Sequence, residues 1–418
     1  MENVCVLGLG YIGLPTASFL ATKGFSVLGV DVNREIINKI NRGEMPIVEP
    51  SLDILVKSAI RSGFLTVGLE PAPADVFIIA VPTPFKSGYT PDLSYVVEAV
   101  NSIIPHIKPG DLVILESTSP VGTTEMVAEV VAKQRPDLNI STPDSSGSQA
   151  VADKKVFFAH CPERVLPGKI LKELTENDRI IGGLDSESAE QAEMFYRKFV
   201  SGNIFTTNSR SAELCKLAEN AYRDVNIAFA NELSLICDKI GADVWEVIEL
   251  ANHHPRVNIL NPGPGVGGHC IAVDPWFIVD TAPEEARLIK VARMVNESKP
   301  RHVINKITGL AQKLRDPVIA CLGLSFKANI DDLRESPAVQ IVSALAAKEI
   351  GRLIVVEPHI QNLPGEFSTY GNISLMETAS ALREANMIVL LVDHAAFRKV
   401  DRDKLHEKIV VDTRGMWR

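Results

Sequence analysis

Residues 3-NVCVLGLGYIGLP-15 decide the fold. A short apolar run ends in the hexapeptide 8-GLGYIG-13, and a helical segment, LPTASFLATKG, follows at once. A strand that turns sharply into a helix through three spaced glycines is the frame of a dinucleotide-binding unit. Gly8 permits the tight turn. Gly10 lets backbone N–H groups approach a pyrophosphate, with Tyr11 and Ile12 beside it, and Gly13 lets the helix pack close to the strand. The helix N-terminus then turns its positive end toward the phosphates. Asp31 closes the next strand, FSVLGVDV, near the distance of about 20 residues at which an acid accepts bonds from the adenosine ribose hydroxyls. An acid there repels a 2′-phosphate, so the expected cofactor is NAD rather than NADP.

Outward from this unit the pattern repeats. DVFIIAVPT and DLVILEST are further buried strands between amphipathic segments, as expected for a parallel sheet covered on both faces. Thr83 and Thr118 stand at the carboxyl ends of these strands, where ligands bind in open α/β sheets, although either also suits a turn. Residues 137–155 are small and polar and read as an exposed loop, and VFFAHCP and RIIGG extend the sheet. From about 208 to 250 the apolar spacing becomes helical with no breaker before Gly241, which predicts one long helix followed by another. VIACLGL, RLIVVEPH, MIVLLVDH and KIVVDTRG then return to buried strands. The expected fold is α/β: two doubly wound Rossmann-like domains joined by a central helical segment with a long spine helix. The boundaries fall at 1–205 for an NAD-binding domain, 206–300 for a helical spine and dimerisation domain, and 301–418 for the second Rossmann-like domain.

Composition narrows the class. The 418 residues are 46% hydrophobic and 23% charged, with a formal charge of -9. An acidic chain with few aromatics is not a general binder of nucleic acid, whose affinity comes from massed Lys and Arg. No apolar run approaches the roughly 20 residues that span a bilayer, and the N-terminus lacks a secretory pattern, so a cytoplasmic protein is expected. Six cysteines stand at 5, 161, 215, 237, 270 and 321 without zinc-site or disulfide spacing. No metal is expected.

Cys270 is the one that invites chemistry. It lies in 263-GPGVGGHCIAVDPWF-277, where Gly267, Gly268 and His269 give approach and Asp274 follows on the same loop. On the long helix Lys216, Asn220 and Arg223 are spaced by four and three, so they share one face. Leu217, Ala218 and Ala221 mark the apolar sides. Glu163, in 160-HCPERVLPG-168, and Asp274 are candidates for handling protons or water. Spacing alone leaves Cys270 open between a reactive thiol and a buried one.

The stretches GLGYIGLP, FFAHCPERVLPGK, ELCKLAENAYRDVNIAFANE, NHHPRVNILNPGPGVGGHCIAVDPWF and GLSFKANIDDLRESP together resemble the UDP-glucose/GDP-mannose dehydrogenase family, in its order and over essentially the whole chain. The resemblance implies an NAD-dependent four-electron oxidation of a sugar-nucleotide primary alcohol to a carboxylate. Cys270 would carry a thiohemiacetal and then a thioester, Lys216 and Asn220 would stabilise its oxyanion, and Glu163 or Asp274 would activate water. Carried over by motif, the substrate contacts are Arg164, Val165, Lys216, Asn220, Arg223, His254, Arg256, Gly267, Phe326, Lys327 and Arg414. Arg334 would reach the cofactor. Arg414 stands where relatives can have Lys, and the two cations differ in geometry. HHPRVNI, AVDPWFI and VVDTRGMWR point, within the family, to UDP-N-acetyl-D-mannosamine as substrate, with UDP-N-acetylglucosamine next. The implied partners are a UDP-amino sugar and a second copy of the chain, met through the central helix.

Two other readings compete. A non-catalytic NAD- or nucleotide-sugar-binding module would have no use for Cys270, Lys216, Asn220, Glu163 and Asp274 together. A two-electron dehydrogenase of a small hydroxy acid would share the first domain and the helical middle, but would make one NADH per substrate.

Overall fold

Gly8 and Gly323 stand at equivalent places in two separate sheets of the computed structural model, which describes residues 2–47, 51–86, 88–141, 155–165 and 169–418. The chain divides into two compact units, one extending to Ala218 and the other from Glu219 to Arg418.

The first unit carries β1 (Asn3–Leu7), β2 (Ser26–Val30), β3 (Leu65–Gly68), β4 (Val76–Ile79), β5 (Leu112–Leu115), β6 (Asn139–Ile140), β7 (Lys155–His160), β8 (Arg179–Gly183) and β9 (Ile204–Asn208). They form one sheet in the order β3-β2-β1-β4-β5-β7-β8-β9, with β6 added beside β7. The apolar runs follow from two-sided burial: Val4 and Val6 of β1 enter one core, and Cys5 and Leu7 enter the core on the opposite face. The expected doubly wound, predominantly parallel sheet is present, with one antiparallel pairing. β8 runs antiparallel to β7, with Ala159 opposite Gly183. A buried apolar run fixes which residues pair with a core but carries no information on strand direction. Of the exposed loop expected over 137–155, β6 takes two residues, and 142–154 lie outside the described residues.

The second unit begins within the helix Ser209–Ile240, which runs for 32 residues and stops at Gly241, whose φ is +75°. Leu217 and Ala221 are buried, but Ala218 is exposed, so the apolar stripe is narrower than the sequence suggests. Asp243 starts the next helix, Val244–Asn252, by accepting the Trp245 N–H at 2.9 Å. Helices Asp274–Thr281 and Arg287–Ala311 follow, the latter with Pro300 inside it. The second sheet is β10 (Val318–Leu322), β11 (Arg352–Val356), β12 (Ile373–Leu375), β13 (Met387–Leu390) and β14 (Ile409–Asp412). Its order is β12-β11-β10-β13-β14, all parallel, which repeats the first sheet's β3-β2-β1-β4-β5. Among the described residues no helix is long and apolar enough to cross a membrane.

Candidate active site

The loop after β1 is built for close approach. Gly8 has φ +91° and donates its N–H to Val30 O at 2.8 Å, and a Cβ on Gly13 would lie 1.8 Å from Gly8 O. A Cβ on Gly10 would meet nothing within 4 Å, so the backbone there faces open space. Tyr11 and Ile12 are half-buried at the start of the helix Gly13–Thr22. Asp31 accepts the Leu9 N–H at 2.9 Å and the Asn33 N–H at 2.8 Å, which binds the acid to the glycine loop. Thr83 donates its hydroxyl to Thr118 O at 2.5 Å, joining the loops after β4 and β5. Glycines closed on the protein side and open on the other, beside an acid, fit NAD.

At the end of β7, Glu163 is buried and paired. It accepts the Arg164 N–H at 2.6 Å and the Arg179 guanidinium at 3.0 Å. Arg164 donates to Asp178 O at 3.2 Å, and Val165 packs on the core. Burial, and then the Glu163 charge, push the nearby Glu116 carboxyl up. His160 is pushed down to about 3, mainly by burial, with the positive charge of Lys216 acting in the same direction. Lys216, half-buried on the long helix, therefore stands close to the carboxyl end of β7. On the same helix Glu213 accepts the Gly122 and Thr124 N–H groups at 2.6 and 2.8 Å, capping the helix Thr123–Gln134.

In the second unit three of the predicted residues are linked. Cys270 is exposed, and its carbonyl accepts the Asp274 N–H at 2.8 Å. The buried Asp274 carboxylate accepts from the Asn220 side chain at 2.5 Å. The glycines before Cys270, expected to give approach to the thiol, are themselves in close contact with neighbouring chain. A Cβ on Gly267 would lie 2.3 Å from Glu335 O, and one on Gly268, whose φ is +86°, would lie 2.8 Å from the Phe326 ring. Arg414, held by Asp393 at 2.9 Å, covers Gly263, where a Cβ would lie 2.5 Å from its guanidinium. His269 is pushed down, first by the surrounding protein and then by the Arg334 charge. Arg334 is itself exposed and bound by both carboxylate oxygens of Asp332, at 2.8 and 2.6 Å.

The other predicted contacts are dispersed. Arg223, His254, Arg256 and Lys327 are exposed, and Phe326 is half-buried. The 252–259 loop is clasped by Asn252, which accepts the Ile259 N–H at 2.7 Å and donates to Ile259 O at 3.0 Å.

Sequence reasoning missed a buried polar ladder that reaches the cysteine loop. Arg293 and Asn296 donate to Asp224 at 2.7 and 2.8 Å, Asn231 donates to Asn296 at 2.8 Å, and Asn231 accepts the Gly263 N–H at 2.8 Å. The available signal was polar residues at core-facing positions of two amphipathic helices.

The NAD binding domain of the UDP-glucose/GDP-mannose dehydrogenase family matches residues 2–200, its central domain matches 210–298, and its UDP binding domain matches 320–418. The chain belongs to the UDP-glucose/GDP-mannose dehydrogenase family. It is an NAD-dependent nucleotide-sugar dehydrogenase whose substrate is a UDP-sugar. It is 56% identical over 416 residues to the NDP-N-acetyl-D-galactosaminuronic acid dehydrogenase of Ralstonia nicotianae, covering 100% of this chain and 96% of that one. It is 52% identical over 424 residues to the UDP-N-acetyl-D-mannosamine dehydrogenase of Escherichia coli (strain K12), covering 100% and 99%. Among solved structures, the UDP-N-acetyl-mannosamine dehydrogenase of Staphylococcus aureus superposes with a TM-score of 0.85 at 38% identity, covering 99% of this chain and 95% of that one.

Proposed function

We propose that the protein oxidises carbon 6 of UDP-N-acetyl-D-mannosamine to the uronic acid, with Cys270 as the covalent nucleophile. The observation that carries the chemistry is the linked set Cys270, Asp274 and Asn220: an exposed thiol whose own loop holds a buried carboxylate fixed by a helix amide. NAD, when bound at the glycine loop, accepts the hydride in each of the two oxidations. Lys216, through an ordered water, takes the hydroxyl proton in the first. The Cys270 sulfur adds to the resulting aldehyde carbon, and Asn220 and Lys216, one turn apart on their helix, donate to the oxyanion. Loss of the second hydride leaves a thioester, and water hydrolyses it, returning the thiol and releasing the acid. We assign activation of that water to Glu163 or Asp274, the two buried carboxylates of the predicted set. Arg164, Val165, Arg223, His254, Arg256, Gly267, Phe326, Lys327 and Arg414 are assigned to the UDP-sugar. Gly8, Gly10, Tyr11, Ile12, Gly13, Asp31, Thr83, Thr118 and Arg334 are assigned to NAD.

The family match and the E. coli and S. aureus relatives support the mannosamine substrate. A second reading, UDP-N-acetylgalactosamine, is favoured by the higher identity to the R. nicotianae relative. NADH formation with UDP-N-acetylmannosamine, UDP-N-acetylgalactosamine, UDP-N-acetylglucosamine, UDP-glucose and GDP-mannose separates these. The highest kcat/KM is expected with the mannosamine, and preference for any of the other four would defeat the assignment.

We further assign the chain to the cytoplasm, to three domains (1–205, 206–300 and 301–418) and to a homodimer. The dimer rests on an apolar stripe of the long helix: Tyr222, Phe229, Ile236 and Ile240 are all exposed, Phe229 to 58%.

A further inference from the structure

The two sheets place an acid at one and the same position, and only one of the two acids is buried. Asp31 follows the last residue of β2, and Glu357 follows the last residue of β11. Each accepts the N–H of the residue after the turn glycine, Leu9 at 2.9 Å and Leu324 at 2.7 Å. Each also accepts the N–H two residues on, Asn33 at 2.8 Å and His359 at 3.1 Å. Gly8 and Gly323 complete the repeat, with φ +91° and +94° and N–H bonds of 2.8 Å to Val30 O and Val356 O. The second acid, however, is buried against a buried imidazole: His394 Nε2 lies 3.1 Å from Glu357 Oε2.

The hydrogen bonds fix the state of that imidazole. Nδ1 accepts the Asn329 N–H at 2.9 Å, so the ring proton sits on Nε2 and is donated toward Glu357, with Ser325 Oγ also within 3.3 Å. Ser325 in turn donates to Lys327 O at 2.7 Å, and Asn329, with φ +62°, accepts the Ala395 N–H at 2.8 Å. Although Glu357, His359 and His394 are grouped closely enough to hold a cation, neither nitrogen of His394 keeps a lone pair for one. Apart from the His394–Glu357 bond itself, each of these bonds ends on the loop 324–329. That loop carries the exposed Lys327 and lays the Phe326 ring on Gly268, two residues before Cys270.

We propose that Glu357 and His394 are positioning residues for the UDP-sugar: a buried carboxylate–imidazole brace that sets loop 324–329, and through Phe326 the Cys270 loop. In the second sheet the brace occupies the acid that the first sheet leaves for a ribose. The substrate part of this proposal rests on the assignment of Phe326 and Lys327 above.

The test uses the full chain with His394→Ala and His394→Asn, whose amide oxygen replaces Nδ1 as acceptor for the Asn329 N–H. Three quantities are read: KM for the UDP-sugar, KM for NAD, and the alkylation rate of Cys270 by iodoacetamide, followed by peptide mass spectrometry. His394→Ala is expected to raise the sugar KM roughly tenfold, the effect of a lost buried hydrogen-bond pair, and to change Cys270 alkylation by a similar factor. His394→Asn should recover part of both, and the NAD KM should stay within about twofold. A lowered melting temperature with the sugar KM and the alkylation rate both unchanged would overturn the proposal. So would stoichiometric zinc whose removal by chelator abolishes activity. If the wild type oxidises no nucleotide sugar, the functional reading fails on its own. The brace is then judged by Cys270 alkylation and by calorimetric binding of UDP, neither of which requires turnover.

Discussion

Lys299 shows how much the interior of the helical region tolerates and what it costs. Its ammonium is buried and donates to Ser234 at 2.7 Å, and burial pushes it down to about 8 from the usual 10.5. The folded state therefore releases this proton more easily than the unfolded chain. Below pH 8 both states hold it, and the penalty is constant. Between about 8 and 10.5 the unfolded chain binds more protons, so stability rises with pH across that window. Lys299→Met, of similar volume, is expected to stabilise the protein at pH 7 by up to about 3 kcal/mol, with the gain shrinking toward pH 10. Thermal unfolding of both proteins across this pH range checks it, and a gain that does not change with pH would refute the account. Single residues were the least legible part of the sequence. Cys5, Cys237 and Cys321 lie in apolar runs and are buried, but the exposure of Cys215 and Cys270 depends on chain segments that sequence spacing does not bring together.

At the scale of elements, periodicity carried most of the information. The run 3-NVCVLGLG-10 and its counterpart VIACLGL were readable because strands buried on both faces need apolar residues at every position. IFTTN was not, because β9 is only partly buried and lacks such a run. The glycine-rich segment before Cys270 shows the same limit: its composition announced a special backbone, but only the fold reveals that it is pressed against Glu335, Pro337 and Phe326. Gly268→Ala should therefore cost roughly 1–3 kcal/mol, from the left-handed backbone and the clash with Phe326, and should lower kcat/KM for the sugar more than it raises the KM for NAD. Denaturant unfolding and steady-state kinetics measure both. Wild-type values in the variant would mean that the loop does not rest on that ring.

For the whole molecule, the repeated sheet order and the family match agree that one chain holds two nucleotide-type frames with different tasks. The exposed apolar stripe of the long helix gives the assembly prediction. Phe229→Glu should convert a dimer to a monomer in light scattering, whereas a wild-type protein that is monomeric at micromolar concentration would remove the dimer from the account. The central claim is that one site performs both oxidations through a covalent cysteine adduct. Its most direct measurement is the number of NADH formed per UDP-N-acetylmannosamine consumed at completion, for the wild type and for Cys270→Ser. The account predicts two NADH and one uronic acid per sugar for the wild type, and no acid from the variant. One NADH per sugar, or full acid formation by Cys270→Ser, would contradict it.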